Sequence, residues 1–219
     1  MTQDIRITAL QKRPGRKHIE LHLDGKFELT VSAESCLRFG LLVGDTLSSS
    51  RLDELREAEA RRVALEAALR LLSYRQRSEF ELRDRLLRKR VRPEIVAETI
   101  GRLSHAGLLD DAQFARSWVD RRDLRAPRSR RLMAAELRAR GLSRGAVEDA
   151  TSAVDEREAA YRAAARRARS LPSMPYPQFR QRVGDLLLRR GFDHELVRET
   201  VTRPWDERDL TTPTDRGRA

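Results

Sequence analysis

Three small groups of side chains in this sequence have the types and spacing to do chemistry. His18, Glu20 and His22 alternate along a stretch that reads as a strand, so they share one face. Two imidazoles and a carboxylate on one face can hold a zinc ion. A structural zinc site needs a fourth ligand and none is at hand, so a solvated strand face is the plainer reading. Asp110 and Asp111 form the most suggestive acidic pair, of the kind that holds a divalent metal in nucleases. They directly precede a helical stretch, however, and Gln113 stands three residues after Asp110. That is the signature of a helix start, where a carboxylate accepts hydrogen bonds from free backbone N–H groups. Ser78 and Glu81 make a similar capping pair, and no histidine lies near to activate the serine. Gly101 and Gly107 are isolated from any Gly-Lys-Ser/Thr sequence, so there is no phosphate-cradling loop. The expectation is no catalytic residue, no cofactor and no metal.

What remains is positive charge. The chain has 45 lysines and arginines against 34 acids, a net charge of +11, and only Lys12, Lys17, Lys26 and Lys89 are lysine. Guanidinium forks pair well with phosphates and carboxylates, so an acidic protein surface or a phosphate backbone is the natural partner. One cluster holds Arg75, Arg77, Arg83, Arg85, Arg88, Lys89, Arg90 and Arg92. A second holds Arg121, Arg122, Arg125, Arg128, Arg130 and Arg131, and a third Arg162, Arg166, Arg167 and Arg169, extended by Arg180, Arg182, Arg189 and Arg190. An arginine-biased genome gives the same surplus, and a charge run is ordinarily a solvated face. Recurrence in three places favours a repeated binding surface. Aromatics are only 5% of residues and nearly absent from these clusters, which points to backbone or protein-surface contact over base stacking.

The elements that must position these groups change character along the chain. Ile5 and Ile7, then Ile19, Leu21 and Leu23, then Phe27, Leu29 and Val31 alternate with polar residues, the pattern of half-buried strands. Asp24 and Gly25 supply a hairpin turn. A short helix over 32–39 follows, ended by Gly40, and 45–50 leads out of this small antiparallel β unit. Cys36, the only cysteine, lies beside Leu37 in this short helix and reads as a small packing residue. From about Leu52 the period is helical, with Val63, Ala67, Leu69 and Leu72 at helix spacing. Leu82, Leu86, Val91, Val96 and Ile100 match Met133, Leu137, Leu142, Val147 and Thr151, and again Val183, Leu187, Phe192, Val197 and Val201. Gly141 and Gly191 take equivalent places, and Arg90 stands there in the first copy. Each copy reads as three helices with a tight turn before the last, and Pro172 to Pro175 as a rigid connector between helices.

The expected fold is mainly α: tandem three-helix, helix-turn-helix-like repeats, elongated and curved, preceded by a small antiparallel β unit. The expected divisions are 1–51 for the β unit, 52–107, 108–153 and 154–204 for the repeats, and 205–219 for a disordered tail. Phe114 and Trp118, four apart on one helix face, are expected in a core, and Trp205 to fold back on the third repeat. A lone cysteine implies a reducing cytoplasm. The first twelve residues lack the apolar run of a signal peptide, and no stretch is long enough to span a membrane.

Two stretches then resemble one family. Tyr74-Arg75-Gln76-Arg77-Ser78-Glu79-Phe80-Glu81-Leu82 and Gly107-Leu108-Leu109-Asp110-Asp111-Ala112-Gln113-Phe114-Ala115 are similar to the two signatures of the RecX family, in the right order, over a resemblance spanning residues 5–203. Gly44-Asp45-Thr46-Leu47 closes a β-rich start that looks like the N-terminal extension of longer members. One departure is Gly145, which weakens the third helix of the middle repeat. The resemblance implies a regulator without catalytic residues or cofactor, expected as a monomer. It implies binding to RecA and to the RecA–single-stranded-DNA filament, with direct contact to the DNA backbone in some members. It further implies inhibition of strand exchange, ATP hydrolysis and coprotease function. Arg75, Arg77, Arg121, Arg122, Arg128, Arg130, Arg131, Arg166 and Arg167 are the candidate partner-binding residues. The competing readings are a helix-turn-helix DNA binder acting without RecA, separable by its salt slope and sequence preference on DNA alone, and a metal-dependent nuclease built on Asp110 and Asp111.

Overall fold

The computed structural model describes residues 5–13, 15 and 18–211, without the side chains of 208–211. These form four strands and ten helices, which divide into two units. One unit comprises the chain up to Gln76 with Leu82–Leu108; the other comprises Arg77–Glu81 with the chain from Leu109 onward.

In the first unit, β1 (Ile5–Lys12), β2 (His18–Leu23), β3 (Lys26–Ser32) and the short β4 (Thr46–Leu47) make one antiparallel sheet in the order β3-β2-β1-β4. Asp24 and Gly25 take φ of 49° and 78°, the left-handed pair that matches the twist of a two-residue hairpin. Ile7, Leu21, Leu23 and Val31 are buried on one face. The segment over 45–50, expected only to lead away, instead closes the sheet: Ile5 pairs with Leu47 and Arg6 with Thr46. Helix α1 (Ala33–Phe39) is capped by Ser32, whose side chain accepts from the Ser35 N–H, and ends in left-handed Gly40. Cys36 is half-buried against this core.

Helix α2 (Ser49–Tyr74) runs for 26 residues without a break at the expected division after residue 51. Its Leu52 and Leu55 complete the core of the sheet, so its first turns belong to the β unit. Val63 and Leu69 are exposed; the buried stripe continues instead through Glu59, Ala64 and Ala68. Glu59 is 3% exposed and ties the helix to the sheet. It accepts from the Ser32 N–H at 3.0 Å and the Arg62 Nε at 2.8 Å. Burial works to raise its pKa, but the hydrogen bonds from Ser32, Ser35 and Arg62 outweigh it and hold the carboxyl below the usual range. Helix α3 (Glu79–Arg88) carries buried Leu82 and Leu86, and α4 (Pro93–His105) carries Ile95, Val96, Ile100 and Leu103. Surface ion pairs Arg61–Glu98 and Arg92–Glu57 link α4 to α2.

The second unit contains α5 (Asp111–Arg125), α6 (Arg130–Arg138), α7 (Arg144–Ser152), α8 (Glu156–Arg169), α9 (Tyr176–Arg189) and α10 (His194–Thr211) around one continuous core. In α8, Ala159, Ala160, Ala163, Ala164 and Ala168 are buried, and their small side chains let α9 and α10 approach closely. The repeat seen in the sequence recurs as local geometry. The Ser78 hydroxyl accepts from the Glu81 N–H and donates to the Arg140 carbonyl at 2.7 Å, while the Glu79 N–H donates to Asp111 at 2.9 Å. Fifty-one residues later, the Ser129 hydroxyl accepts from the Leu132 N–H, the Ser129 N–H donates to the Arg190 carbonyl at 3.0 Å, and the Arg130 N–H donates to Glu156 at 2.9 Å. Gly141 and Gly191, at φ of 78° and 86°, lie under these helix starts. A Cβ on Gly141 would fall 2.3 Å from the Phe80 Cβ, and one on Gly191 2.5 Å from the Ser129 Oγ.

The last expectation is corrected at the C-terminal end. Residues 205–211 are not a tail: α10 continues through Pro204 to Thr211. A proline inside a helix costs about 3 kcal/mol. Trp205 offsets it by packing its ring 5.0 Å from Phe179 and 5.3 Å from Tyr176 at the start of α9. Residues 212–219 lie outside the described residues.

A candidate partner-binding surface

The arginines singled out by sequence divide into those held within the molecule and those facing outward. Arg122 and Arg128 both pair with Glu136, Arg122 at 2.9 Å. The guanidinium groups of Arg122 and Arg140 also stack on the Trp118 ring, at 4.9 and 5.0 Å. Burial, reinforced by the charges of Arg122 and Arg140, lowers the pKa of Arg128. Arg190 is lowered in the same way by burial and by Arg166 and Arg128. Arg166 donates to the last carbonyls of α5, Leu124 and Arg125. Arg130 donates from Nε to the Val154 carbonyl at 2.7 Å, and Arg162 pairs with Asp123. These cations close helix ends and bind elements together, a use of arginine that a charge count does not distinguish from partner binding.

Arg121, Arg125 and Arg131 are exposed. Arg121 and Arg125 line a shallow groove with Trp118 and Arg122. Half-buried Arg167 reaches the Ser170 hydroxyl at 3.4 Å. Arg75 is exposed at the end of α2 and donates to the Gln76 carbonyl at 2.9 Å; Arg77 is half-buried. Phe114 is buried as expected, whereas Trp118 is half-buried beneath its two guanidiniums.

The other chemical candidates are accounted for by structure. Asp110 accepts from the Gln113 N–H at 2.8 Å as the cap of α5. Asp111 turns away to the Glu79 N–H. Burial raises the pKa of Asp111; the Glu79 hydrogen bond opposes it, and the neighbouring charges of Glu79, Asp110 and Glu81 add to it. Glu20 pairs with Arg13 at 2.8 Å and lies 4.0 Å from the His22 ring. Among the described residues no three potential ligands gather into a metal site. No described helix is long and apolar enough to cross a membrane. Sequence reasoning missed Glu59 and the outward role of Asp111. The first was signalled by an acid standing in the buried stripe of α2, the second by the adjacent acid left over once Asp110 had capped the helix.

Models of the RecX first, second and third three-helix domains match residues 64–103, 110–150 and 155–201. Relatives that carry the name regulatory protein RecX include one from Chlorobium limicola, 35% identical over 62% of this chain and 86% of its own length. Another, from Bacillus subtilis, is 25% identical over 92% of this chain and 77% of its own length. A crystal structure of regulatory protein RecX matches with a TM-score of 0.63 at 23% identity, over 91% of this chain and 99% of that one. A second, of RecX from Lactobacillus salivarius, matches with a TM-score of 0.56 at 22% identity, over 70% of this chain and 99% of that one. At these identities the structures speak for the fold alone. The three matched domains lie in order along the helical part of the chain, and this chain belongs to the RecX family, a family of regulatory proteins.

Proposed function

We propose that this protein binds RecA and the RecA–single-stranded-DNA filament and inhibits its recombinase, ATPase and coprotease activities, acting without catalysis, as a monomer in the cytoplasm. The observation that carries this reading is membership in a regulatory family together with arginines that face outward from the three-helix domains. A filament offers the same acidic surface and phosphates at regular intervals, so several weak cationic contacts add up to useful avidity. Of the nine candidate arginines, Arg121 and Arg131 are exposed, as are Arg75, Arg130 and Arg166, and Arg121 and Arg131 are the pair assigned to contact. Arg75, Arg77 and Arg167 are next, while Arg122, Arg128, Arg130 and Arg166 act mainly by holding the surface in shape. Direct contact with the DNA backbone would add to the same electrostatic attraction.

The test is titration of the protein into RecA–single-stranded-DNA filaments while ATP hydrolysis is followed. Inhibition is expected, and the double variant Arg121→Glu/Arg131→Glu should weaken it at least tenfold without moving the thermal unfolding midpoint. Undiminished inhibition by the double variant would remove these residues from the interface. Absence of inhibition by the unaltered protein would remove the function.

A further inference from the structure

The outer groove between α9 and α10 is unlike its counterparts in the other two copies of the repeat. It has a volume of about 370 Å³, and its lining includes Gly184, Leu188, Val197 and Val201, with Arg180 and Arg198. By the spacing of the repeat, Gly184 corresponds to Ala134 and Arg83, Leu188 to Arg138 and Leu87, and Arg198 to Glu148 and Ala97. Only this copy combines a residue without a side chain, an exposed leucine and two cations. Arg180 and Arg198 are exposed and make no hydrogen bond or ion pair with the described residues.

Gly184 is the informative residue. Glycine inside a helix is destabilising relative to alanine. Packing does not demand it here: it has no left-handed φ, and a Cβ would meet only the Val197 Cγ1, at 3.6 Å, an ordinary contact. The missing side chain therefore leaves room that the fold does not use, at a position buried beside Leu188 and Val197.

We propose that this groove docks an acidic peptide segment of a partner protein, which seats a leucine- or phenylalanine-sized side chain over Gly184 and sets carboxylates against Arg180 and Arg198. Arg180 and Arg198 outnumber the one carboxylate of the lining, Asp185, so charge complementarity selects an acidic occupant, and the aliphatic lining selects an apolar anchor within it. Nucleic acid fits less well, because the lining is largely aliphatic and offers a base only the His194 ring to stack on. The proposal is independent of the RecA reading, since none of these residues is among the nine arginines assigned to that surface.

The test is selection from a displayed library of random twelve-residue peptides on the whole immobilised protein, followed by fluorescence titration of the enriched peptides. Enriched sequences should carry a leucine or phenylalanine flanked by aspartate or glutamate. Gly184→Leu, which fills the groove, should weaken their binding at least tenfold. So should Arg180→Glu/Arg198→Glu, which changes only exposed positions and guards against a folding defect in the first variant. No enrichment, enriched peptides without acids, or binding indifferent to both sets of changes would overturn the proposal. So would displacement of the peptides by oligothymidylate, with oligothymidylate binding lost in the same variants.

Discussion

At the start of α3 and again at the start of α6, a buried serine caps the helix while an acid from a later helix accepts the next backbone N–H. The start of α9 is built otherwise: its cap position is Pro175, which makes no side-chain bond, and Phe179 stands where Ser78 and Ser129 stand in the repeat. Hydrogen bonds to a following turn hold the first two, and the stacked rings of Tyr176, Phe179 and Trp205 cover the third. The first two helix starts satisfy polar groups on a turn of the following copy, whereas the third is covered by an apolar plug. It explains why α10 persists beyond its proline.

The comparison breaks most severely at the glycines. Gly191→Ala would place a Cβ against the Ser129 Oγ and the Leu132 Cβ on a backbone that L side chains rarely adopt. Overpacking and left-handed strain together should cost about 3–4 kcal/mol, read as a loss in chemical-denaturation midpoint, and Gly141→Ala should behave alike. A loss under 1 kcal/mol would show that the turns are not tightly covered. Trp205→Ala should cost about 2–3 kcal/mol, toward the low end for a large aromatic because the ring is only partly buried. Hydrogen exchange should then rise in α10 beyond Pro204 and at the start of α9. If exchange rises equally throughout the second unit, Trp205 is an ordinary core residue and not a plug.

Smaller effects sharpen the contrast. Ser78→Ala and Ser129→Ala should each cost about 1 kcal/mol through loss of the cap, with Ser78→Ala the worse because its hydroxyl also donates to the Arg140 carbonyl. Equal losses would mean that the donated bond contributes nothing. Arg90 takes the same left-handed backbone as Gly141 and Gly191, at φ 61°, yet is exposed. Arg90→Gly should therefore stabilise the first copy by about 1 kcal/mol, measured by calorimetry, and a destabilisation would reveal a role for its side chain.

Asp111 supplies the pH test. Its folded pKa is raised, so the ionised carboxylate opposes folding at neutral pH, and this cost disappears as pH falls through the raised value. Asp111→Asn keeps an acceptor for the Glu79 N–H without the charge. Its stability relative to the unaltered protein should be greatest near neutrality and should shrink in acid. The reverse trend would show that the carboxylate is held ionised by its hydrogen bond. Glu59 has the opposite sign: its lowered folded pKa contributes stability above the ordinary carboxylate range, and that contribution is lost as pH falls through the folded value.

Sequence alone determined the parts of this protein that depend on local pattern. Alternation and the Asp24-Gly25 pair dictated the hairpin, spacing of apolar residues dictated the helices and their repetition, and Asp110, Ser78 and Gly40 announced their caps. These features are settled within a few residues of the chain, where side-chain period and backbone preference act directly. Tertiary structure decided whatever depends on a distant partner. It turned 46–47 into a strand, ran α2 through an expected boundary, and carried α10 past Pro204 onto Tyr176 and Phe179. It also sorted the arginines. Arg128 and Arg131 stand three residues apart in one charge run, yet one is drawn inward by Glu136 and the other remains in solvent. A guanidinium goes inward only where folding brings a carboxylate, a carbonyl or an aromatic face within reach, and charge along the chain carries no record of that.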